Sequence, residues 1–165
     1  MKRVYIALGG NLGDVPATFN SARLRIAALP KTSITISSLL YRTPPIGPPG
    51  QPDYCNAIIA AKTGLQALAL LDALQSIEKL HGRLRSLHWG PRTLDLDIIA
   101  LDTEIIALPR LSIPHPLMHE RQFVLRPLCD IEPGWHHPVL GKSASCLLAD
   151  LSAGAEPPLA DGIVW

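Results

Sequence analysis

Apolar residues recur along this chain at two spacings, which predict an alternation of strands and helices. Residues 4–8 are rich in strand-forming side chains, whereas apolar positions over residues 17–29 repeat at helical spacing. Residues 32–42 and 54–62 are rich in β-branched or apolar side chains and predict two further strands. Residues 65–80 predict an amphipathic helix. The apolar stripe of that helix is expected to contain Leu68, Leu71, Leu74 and Ile77 or Leu80.

The second half of the chain continues this alternation. Residues 94–101, with the sequence LDLDIIAL, predict a strand, and residues 104–113 predict a short hairpin. A helix is expected to begin near His115 or Leu117, and a short helix is expected around residues 143–151. The order strand, helix, strand, strand, helix, strand predicts an α+β fold. It is that of a ferredoxin-like βαββαβ α/β sandwich, with an antiparallel sheet, helices against it and C-terminal additions.

The amino-acid composition then excludes several classes of protein. The chain has 165 residues, of which 47% are hydrophobic and 18% charged, so a single domain with a sizeable core is expected. The 15 lysines and arginines against 14 acidic residues argue against a broad nucleic-acid-binding surface and against a polybasic membrane anchor. No apolar stretch is long enough to span a bilayer or to form a signal peptide. We therefore expect a cytoplasmic protein and, without a conspicuous oligomer interface, a monomer.

The strongest local signal for chemistry is the pair Asp95 and Asp97. Side chains alternate along a strand, so both carboxylates share one face while the intervening leucine takes the other. The pair would repel itself without a counterion, and a divalent cation is its natural partner. A solvated strand face without a metal is the alternative that this spacing leaves open.

Cationic side chains flank the two aspartates on both sides. Arg83, Arg85 and Arg92 precede them, and Arg110, His115 and Arg121 follow them. Carboxylates that hold a metal and guanidinium groups that bind phosphate oxygens suit a metal–polyphosphate substrate. A set of surface salt bridges, each contributing about 0–1 kcal/mol, is the alternative.

Several other catalytic motifs are absent from the sequence. There is no G-x-x-x-x-G-K-[ST] phosphate loop, no G-x-G-x-x-G and no G-x-S-x-G elbow. The stretch Gly9-Gly10-Asn11-Leu12-Gly13-Asp14 follows the first strand; its glycines are expected to allow a tight turn, and Asp14 is expected to cap the following helix. The adjacent His136 and His137 point opposite ways on an extended chain and favour structural roles over a metal site. The three cysteines are far apart, which predicts free core thiols: Cys55, Cys129 and Cys146.

Three blocks of sequence carry a resemblance to a known family. The strings YRTPPIGPPGQPDYCNA, HWGPRTLDLDII and RLSIPHPLMHERQFVLRPL resemble signature regions of the 6-hydroxymethyl-dihydropterin pyrophosphokinase family. The resemblance extends over residues 4–131 and agrees with the length and the element order. It implies a transfer of the β,γ-pyrophosphoryl unit from ATP to the hydroxymethyl oxygen of a reduced pterin in folate biosynthesis, with AMP as the second product.

The resemblance also implies roles for individual residues. Asp95 and Asp97 resemble the aspartates that bind two Mg²⁺ ions in the family, with ATP as co-substrate. Arg83 and Arg92 lie on a stretch that resembles a mobile catalytic loop and would neutralise charge, and Trp89 would close the site over both substrates.

Two binding sets follow by position from the same resemblance. The nucleotide set comprises Leu71, Gln75, Glu78, Arg85, Trp89, Arg92, Ile98, Arg110, Leu111, Ser112, His115 and Arg121, of which His115 and Arg121 would contact phosphates. The pterin set comprises Asn11, Thr43, Pro45, Ile46, Tyr54, Asn56, Trp89, Asp95 and Phe123, in which Tyr54 and Phe123 could sandwich a flat heterocycle and Asn56 could bind its amide-like edge. The sequence departs from the family at Gly10 and Pro116, where serine and tyrosine are common.

Three alternative functions remain at this point. A ferredoxin-like binding module would need the pocket without the paired acids, and a structural or interaction protein would need neither. A kinase that transfers a single phosphoryl group would release ADP in place of AMP. No nucleic acid or membrane partner is expected.

Overall fold

An antiparallel sheet forms the centre of the computed structural model, which describes residues 1–44, 49–82, 93–152 and 159–165. Within these residues the strands run in the order β2, β4, β1, β5, and β3 pairs with the other half of β4. The strands are β1 (Lys2–Gly10), β2 (Thr32–Ser37), β3 (Tyr41–Thr43), β4 (Tyr54–Thr63), β5 (Asp95–Leu101), β6 (Ile106–Leu108) and β7 (Leu111–Ile113). The helices are α1 (Val15–Ala27), α2 (Ala67–Leu80), α3 (Gln122–Ile131) and α4 (Ala144–Ser152). The α+β class and the antiparallel sheet are confirmed.

Side-chain alternation gives the sheet two apolar faces, and each is covered by a pair of helices. Ile6 and Leu8 of β1 belong to the cluster that includes Phe19 of α1 and Leu74 of α2. Tyr5, which precedes Ile6 in the chain, belongs to a second cluster with residues of α3 and α4. Two buried faces explain why the central strands read as nearly continuous apolar runs.

The register of the central strands determines which residues meet at the end of β1. Gly9 pairs with Asn56 of β4 on one side and with Asp95 of β5 on the other. Tyr41 of β3 pairs with Asn56. One row across four strands therefore runs from Tyr41 through Asn56 and Gly9 to Asp95. Gly9 and Gly10 belong to β1, and the chain turns after them, where Gly13 has a φ of 71°.

The helix predictions hold, with corrections at boundaries and faces. The Asp14 side chain accepts a hydrogen bond from the Ala17 N–H at 3.2 Å and caps α1, as expected. In α2 the buried stripe contains Leu70, whereas Leu68 is 38% exposed and Leu80 is 64% exposed. The sheet meets α2 along its centre, and so the two end leucines remain in solvent.

The strand predicted over residues 32–42 is two strands with a bulge between them. Ser38 interrupts the ladder, because its hydroxyl accepts the Ile58 N–H at 2.8 Å in place of a backbone carbonyl. The peptide of Leu40 then pairs with Ile163 near the C-terminal end, through hydrogen bonds of 2.8 and 2.9 Å. The partner of this segment lies more than a hundred residues away, which no local pattern indicates.

The remaining predictions are mostly confirmed. The hairpin of β6 and β7 lies inside the predicted residues 104–113. The helix expected from His115 or Leu117 begins at Gln122, after a 3-10 turn over Met118–Glu120. All three cysteines are free, although Cys146 is exposed rather than in the core. Among the described residues, no helix has both the length and the apolar character needed to cross a membrane.

Candidate active site

A cavity of about 300 Å³ opens beside the outer edge of β5, between α2 and the β6–β7 hairpin. Residues of the predicted nucleotide set line it: Leu71, Gln75, Ile98, Arg110, Leu111, Ser112 and His115. The wall also contains Leu96, Asp97, Leu108, Pro109 and Pro116. The cavity therefore combines an apolar wall with a carboxylate, a guanidinium and an imidazole, which suits a ligand that has both a flat apolar part and an anionic part.

Arg110 joins the hairpin to α2 at this cavity. Its guanidinium forms an ion pair with Asp72 and donates a second hydrogen bond to Gln75 Oε1 at 3.4 Å. Asp72 and Gln75 lie three residues apart on α2 and so share a face of the helix. Because the ion pair is exposed to solvent, its worth is about 0–1 kcal/mol, and a bound anion can compete for the guanidinium.

Asp95 and Asp97 lie on one face of β5, as their spacing predicts. Asp97 is exposed and lines the cavity, whereas Asp95 is partly buried next to Gly9 and in the same row as Asn56. The described residues contain no cluster of three or more His, Cys, Asp or Glu side chains that could hold a metal alone. The donor set fits a hard cation that is shared between two carboxylates and the phosphates of a substrate, because Mg²⁺ rarely occupies an all-protein cage.

Glu78 is buried at 3% exposure and is not part of the cavity wall. Its Oε2 accepts a hydrogen bond from the Leu96 N–H at 2.8 Å. Leu96 is the residue between the two aspartates. The structure thus brings Glu78 to the backbone of β5.

His115 lies between the cavity and the start of α3. Burial is the main reason that the pKa of His115 is below its ordinary value; Asp97 opposes this shift and Arg121 adds to it. The ring is therefore neutral at pH 7. The Leu117 N–H donates to Nδ1 at 3.2 Å, which leaves the proton on Nε2. Neutral His115 can donate one hydrogen bond, to an oxygen of an anionic ligand.

Predicted pterin residues share the sheet face that α3 covers. Thr43 pairs with Tyr54, and Asn56 follows Tyr54 by two residues, so all three side chains point to that face. Phe123 packs from α3 against the cluster on the same face, and the Arg121 guanidinium lies 5.4 Å from the centre of its ring. Tyr41 holds β3 to α3, because its hydroxyl donates to Asp130 Oδ2 at 2.6 Å. An aromatic ring, a cation and an amide thus lie along one side of the sheet.

Asn11 has a different position from the other members of the pterin set. It is 2% exposed, and its amide donates to Gln51 Oε1 at 3.3 Å and to the Pro52 carbonyl at 3.1 Å. These contacts hold the segment that leads into β4 and therefore into Tyr54.

Six residues of the predicted site lie outside the described residues. They are Pro45, Ile46, Arg83, Arg85, Trp89 and Arg92.

Two positions near the site escape prediction from the sequence. A Cβ added at Gly9 would lie 3.3 Å from Asn56 Oδ1 and 3.9 Å from Asp95 Cβ, so the missing side chain lets these two residues lie close to the backbone of β1. Asp72 could not be predicted from the sequence, because nothing in the sequence distinguishes it from other solvent-exposed carboxylates on helices. For Gly9, the signal available in the sequence was its place at the end of a strand.

Comparisons with known proteins identify one family. The family model described as 7,8-dihydro-6-hydroxymethylpterin-pyrophosphokinase (HPPK) matches residues 5–133. A Pseudomonas aeruginosa protein named 2-amino-4-hydroxy-6-hydroxymethyldihydropteridine pyrophosphokinase is 47% identical over 133 residues, which cover 81% of this chain and 82% of that protein. A Synechocystis protein of the same name is 39% identical over 158 residues, which cover 96% of this chain and 80% of that protein.

Solved structures show the same fold. The crystal structure of Plasmodium falciparum HPPK-DHPS with pteroate superposes with a TM-score of 0.74 at 16% identity. The match covers 92% of this chain and 42% of that longer one. At this identity the likeness concerns the fold.

Proposed function

This chain belongs to the 7,8-dihydro-6-hydroxymethylpterin-pyrophosphokinase (HPPK) family, and on that premise we propose how its residues divide the reaction between them. The chain transfers pyrophosphate from ATP to the hydroxymethyl group of 6-hydroxymethyl-7,8-dihydropterin, a step of folate biosynthesis. The hydroxyl oxygen bonds to the β-phosphorus of ATP, and the bond from that phosphorus to the α–β bridging oxygen breaks. AMP leaves with that oxygen, and the hydroxyl proton is released.

One observation supports this assignment above the others. Asp97 lines the cavity beside β5, whereas Asp95, two residues earlier on the same face, adjoins the row that leads to Asn56. Adjacent strands lie about 4.8 Å apart, so Asn56 and Asp95 are separated by about 10 Å across Gly9. We place the nucleotide in this cavity and the pterin beside Asn56, with the two aspartates between them, where the group passes from one substrate to the other.

The donor set supports Mg²⁺ as the metal. Asp95 and Asp97 would hold it together with phosphate oxygens, and the family resemblance implies two ions. When bound, Mg²⁺ offsets the charge of the phosphates and lowers the pKa of the attacking hydroxyl. The two carboxylates need only orient the oxygens around it, which suits their position at the open edge of the sheet.

The cationic and polar side chains have separate tasks in this proposal. His115 donates its Nε2–H to a phosphate oxygen while it remains neutral, and Arg121 places a guanidinium near His115 and Phe123. Arg110 exchanges its exposed partner Asp72 for the nucleotide. Arg83 and Arg92 would neutralise charge on the transferring group and Trp89 would close the site; these three roles rest on the family resemblance.

The pterin would lie on the α3 face of the sheet. Tyr54 and Phe123 provide aromatic surfaces, and the Asn56 side chain offers both a donor and an acceptor to the amide-like edge of the ring. Asn11 contributes through the segment at Gln51 and Pro52 that it holds.

We also propose that the sheet with α1 and α2 is of the ferredoxin-like type. The order β2, β4, β1, β5, with α1 after β1 and α2 after β4, supports a split βαβ arrangement. The helices α3 and α4 are then the C-terminal addition that covers the second face.

The nucleotide product tests the function directly. With Mg²⁺, ATP and 6-hydroxymethyl-7,8-dihydropterin, AMP is expected in equal amount to the pterin diphosphate, as measured by ion-exchange chromatography. The substitution Asp97→Asn is expected to lower turnover by about 10²–10³-fold, since it removes a carboxylate at the reacting phosphates. Its melting temperature is expected to stay level or to rise, because a like-charge neighbour of Asp95 is lost.

Asp150→Asn is the matched control. Asp150 pairs with Lys142 at 2.9 Å on the surface, away from the cavity, and its loss should leave turnover unchanged. Release of ADP would instead identify a kinase that transfers one phosphoryl group. Binding of both small molecules without any product would identify a binding module.

A further inference from the structure

The backbone of β5 between the two aspartates has an N–H group, that of Leu96, which points away from the sheet. β5 is the last strand in the sheet order, with β1 on its other side. Successive residues of an antiparallel strand direct their N–H groups to opposite edges, so the Leu96 N–H points away from β1. The Glu78 carboxylate accepts this N–H at 2.8 Å. A side chain from α2 thus takes the place of a missing neighbouring strand.

A buried carboxylate at this position is a costly way to fill space. Glu78 is 3% exposed on a helix whose other buried residues are apolar: Leu70, Leu71, Leu74 and Ile77. Removing a charge from water is unfavourable unless the charge gains specific partners, and an apolar residue of similar volume is often as stable. The stability of the core therefore does not explain why a carboxylate occupies this position.

The geometry of β5 excludes direct ligation of the metal by Glu78. The Leu96 side chain belongs to the core on the α1 and α2 face, so the neighbouring Asp95 and Asp97 side chains point to the opposite face. Glu78 approaches from α2, at the peptide between them. In agreement with this, no cluster of three metal-binding side chains occurs in the described part of the chain.

We propose that Glu78 is a positioning residue, whose hydrogen bond to the Leu96 N–H fixes the direction in which Asp95 and Asp97 present their carboxylates. This inference rests on the proposed function, in which the two aspartates hold Mg²⁺ with the nucleotide. If the peptide at Leu96 rotates, both carboxylates turn with it, because each is one residue away. The sequence assigned Glu78 to nucleotide contact; here it acts on the metal-binding strand instead.

Three variants of Glu78 distinguish the effect of its acceptor oxygen from the effects of its charge and of its side-chain length. Glu78→Gln keeps an acceptor oxygen at the same distance and removes the charge. Glu78→Leu removes the acceptor at similar volume, and Glu78→Asp keeps the charge but is one methylene too short. The control is Glu104→Gln, which removes a carboxylate that pairs with Lys2 at 3.1 Å, at the opposite end of β1 and β5.

Two readouts do not depend on turnover. Amide hydrogen exchange at Leu96, measured by NMR without substrates, reports the hydrogen bond itself. Electron paramagnetic resonance of Mn²⁺ with a non-hydrolysable ATP analogue reports metal affinity. In Glu78→Leu and Glu78→Asp, Leu96 exchange is expected to accelerate at least about tenfold and the Mn²⁺–nucleotide complex to weaken about tenfold. Glu78→Gln is expected to remain within about threefold of the parent in both, and Glu104→Gln to match the parent.

Several results would overturn the proposal. Equal loss in Glu78→Gln and Glu78→Leu would assign the effect to charge rather than to the acceptor. Equal weakening of the nucleotide with and without Mn²⁺ would restore a direct nucleotide contact. Faster exchange at Leu96 in Glu78→Leu together with an unchanged Mn²⁺–nucleotide complex would show that the hydrogen bond is dispensable for metal binding. If Glu78→Leu does not fold, Glu78→Gln and Glu78→Asp still decide the question. Failure of the parent protein to form AMP would refute the proposed function. The hydrogen bond from Leu96 to Glu78 is tested separately, because amide exchange is measured without substrates.

Discussion

Gly9 is the residue at which a single added carbon atom would change the site most. It lies on β1, between Asn56 of β4 and Asp95 of β5. The φ angle of Gly9 is not in the left-handed region that favours glycine, so the backbone conformation does not require glycine at this position. What matters is the absence of a side chain where two functional side chains need room.

Gly9→Ala is therefore expected to impair pterin binding selectively. The new Cβ would lie 3.3 Å from Asn56 Oδ1 and would displace the amide that we propose as a pterin contact. We expect the KM for the pterin to rise about tenfold, which corresponds to about 1.4 kcal/mol, with the KM for ATP within about twofold. Steady-state kinetics with each substrate varied in turn measures both values.

Gly134→Ala serves as the control for this change. A Cβ there meets nothing closer than 4.0 Å and the position is far from the row, so both KM values should match the parent. A Gly9→Ala variant with an unchanged KM for the pterin would contradict the proposed contact between Asn56 and the pterin.

At the scale of elements, the C-terminal segment completes the sheet at the bulge between β2 and β3. Ile163 pairs with Leu40, and the indole N–H of Trp165 donates to the Ser38 carbonyl at 2.7 Å. The Trp165 ring also packs against Phe19, at 5.7 Å between ring centres, and under the Arg23 guanidinium at 4.1 Å. The segment thus joins α1 to the strand that leads to Thr43.

Trp165→Ala is expected to destabilise the fold by about 2 kcal/mol, because it removes a half-buried aromatic ring, its hydrogen bond and its contact with Arg23. In thermal unfolding this corresponds to a fall of about 5 °C in Tm. Val164→Ala is the matched control, since Val164 is 87% exposed and should shift Tm by less than about 1 °C. Equal Tm values for the two variants would show that the segment does not support the sheet.

At the scale of the whole molecule, the second helical layer depends on the connection between α3 and α4. Trp135 packs against Tyr5 of the sheet at 6.4 Å and against His137 at 5.7 Å. His137 Nδ1 accepts the N–H groups of Val139 and Leu140 at 3.2 and 3.1 Å. The imidazole must be neutral to accept them, which is the structural role that the sequence favoured over a metal site.

This connection predicts a loss of stability in mild acid. Burial lowers the pKa of His137 from its ordinary 6.5, and the nearby His119 acts in the same direction. The unfolded chain therefore takes up the proton first as the pH falls. The contribution of His137 is fully present above pH 6.5, decreases as the pH falls below it, and levels off below the folded-state pKa.

His137→Asn removes this titration and keeps an acceptor oxygen. We expect the fall in Tm between pH 7.5 and pH 5.5 to be smaller in the variant by about 3 °C, which corresponds to about 1 kcal/mol. Thermal unfolding of both proteins across this range gives the difference, in which the carboxyl groups common to both cancel. Parallel pH profiles would contradict the prediction.

The sequence alone was enough for features that depend on neighbours in the chain. Alternation along residues 94–101 predicted that Asp95 and Asp97 share a face, and helical spacing predicted α1 and α2 within two residues at each end. The resemblance of three blocks led to the family, and with it to Leu71, Gln75 and the hairpin residues that line the cavity.

Only the tertiary structure decided the features that depend on register and on approach between distant segments. Gly9 matters because β4 and β5 both pair with it, and Glu78 reaches Leu96 because α2 crosses the edge of the last strand. The break between β2 and β3 depends on Ile163 and Trp165 at the far end of the chain. A local pattern determines which way a side chain points along its own element. The partner that it meets depends on how the elements pack.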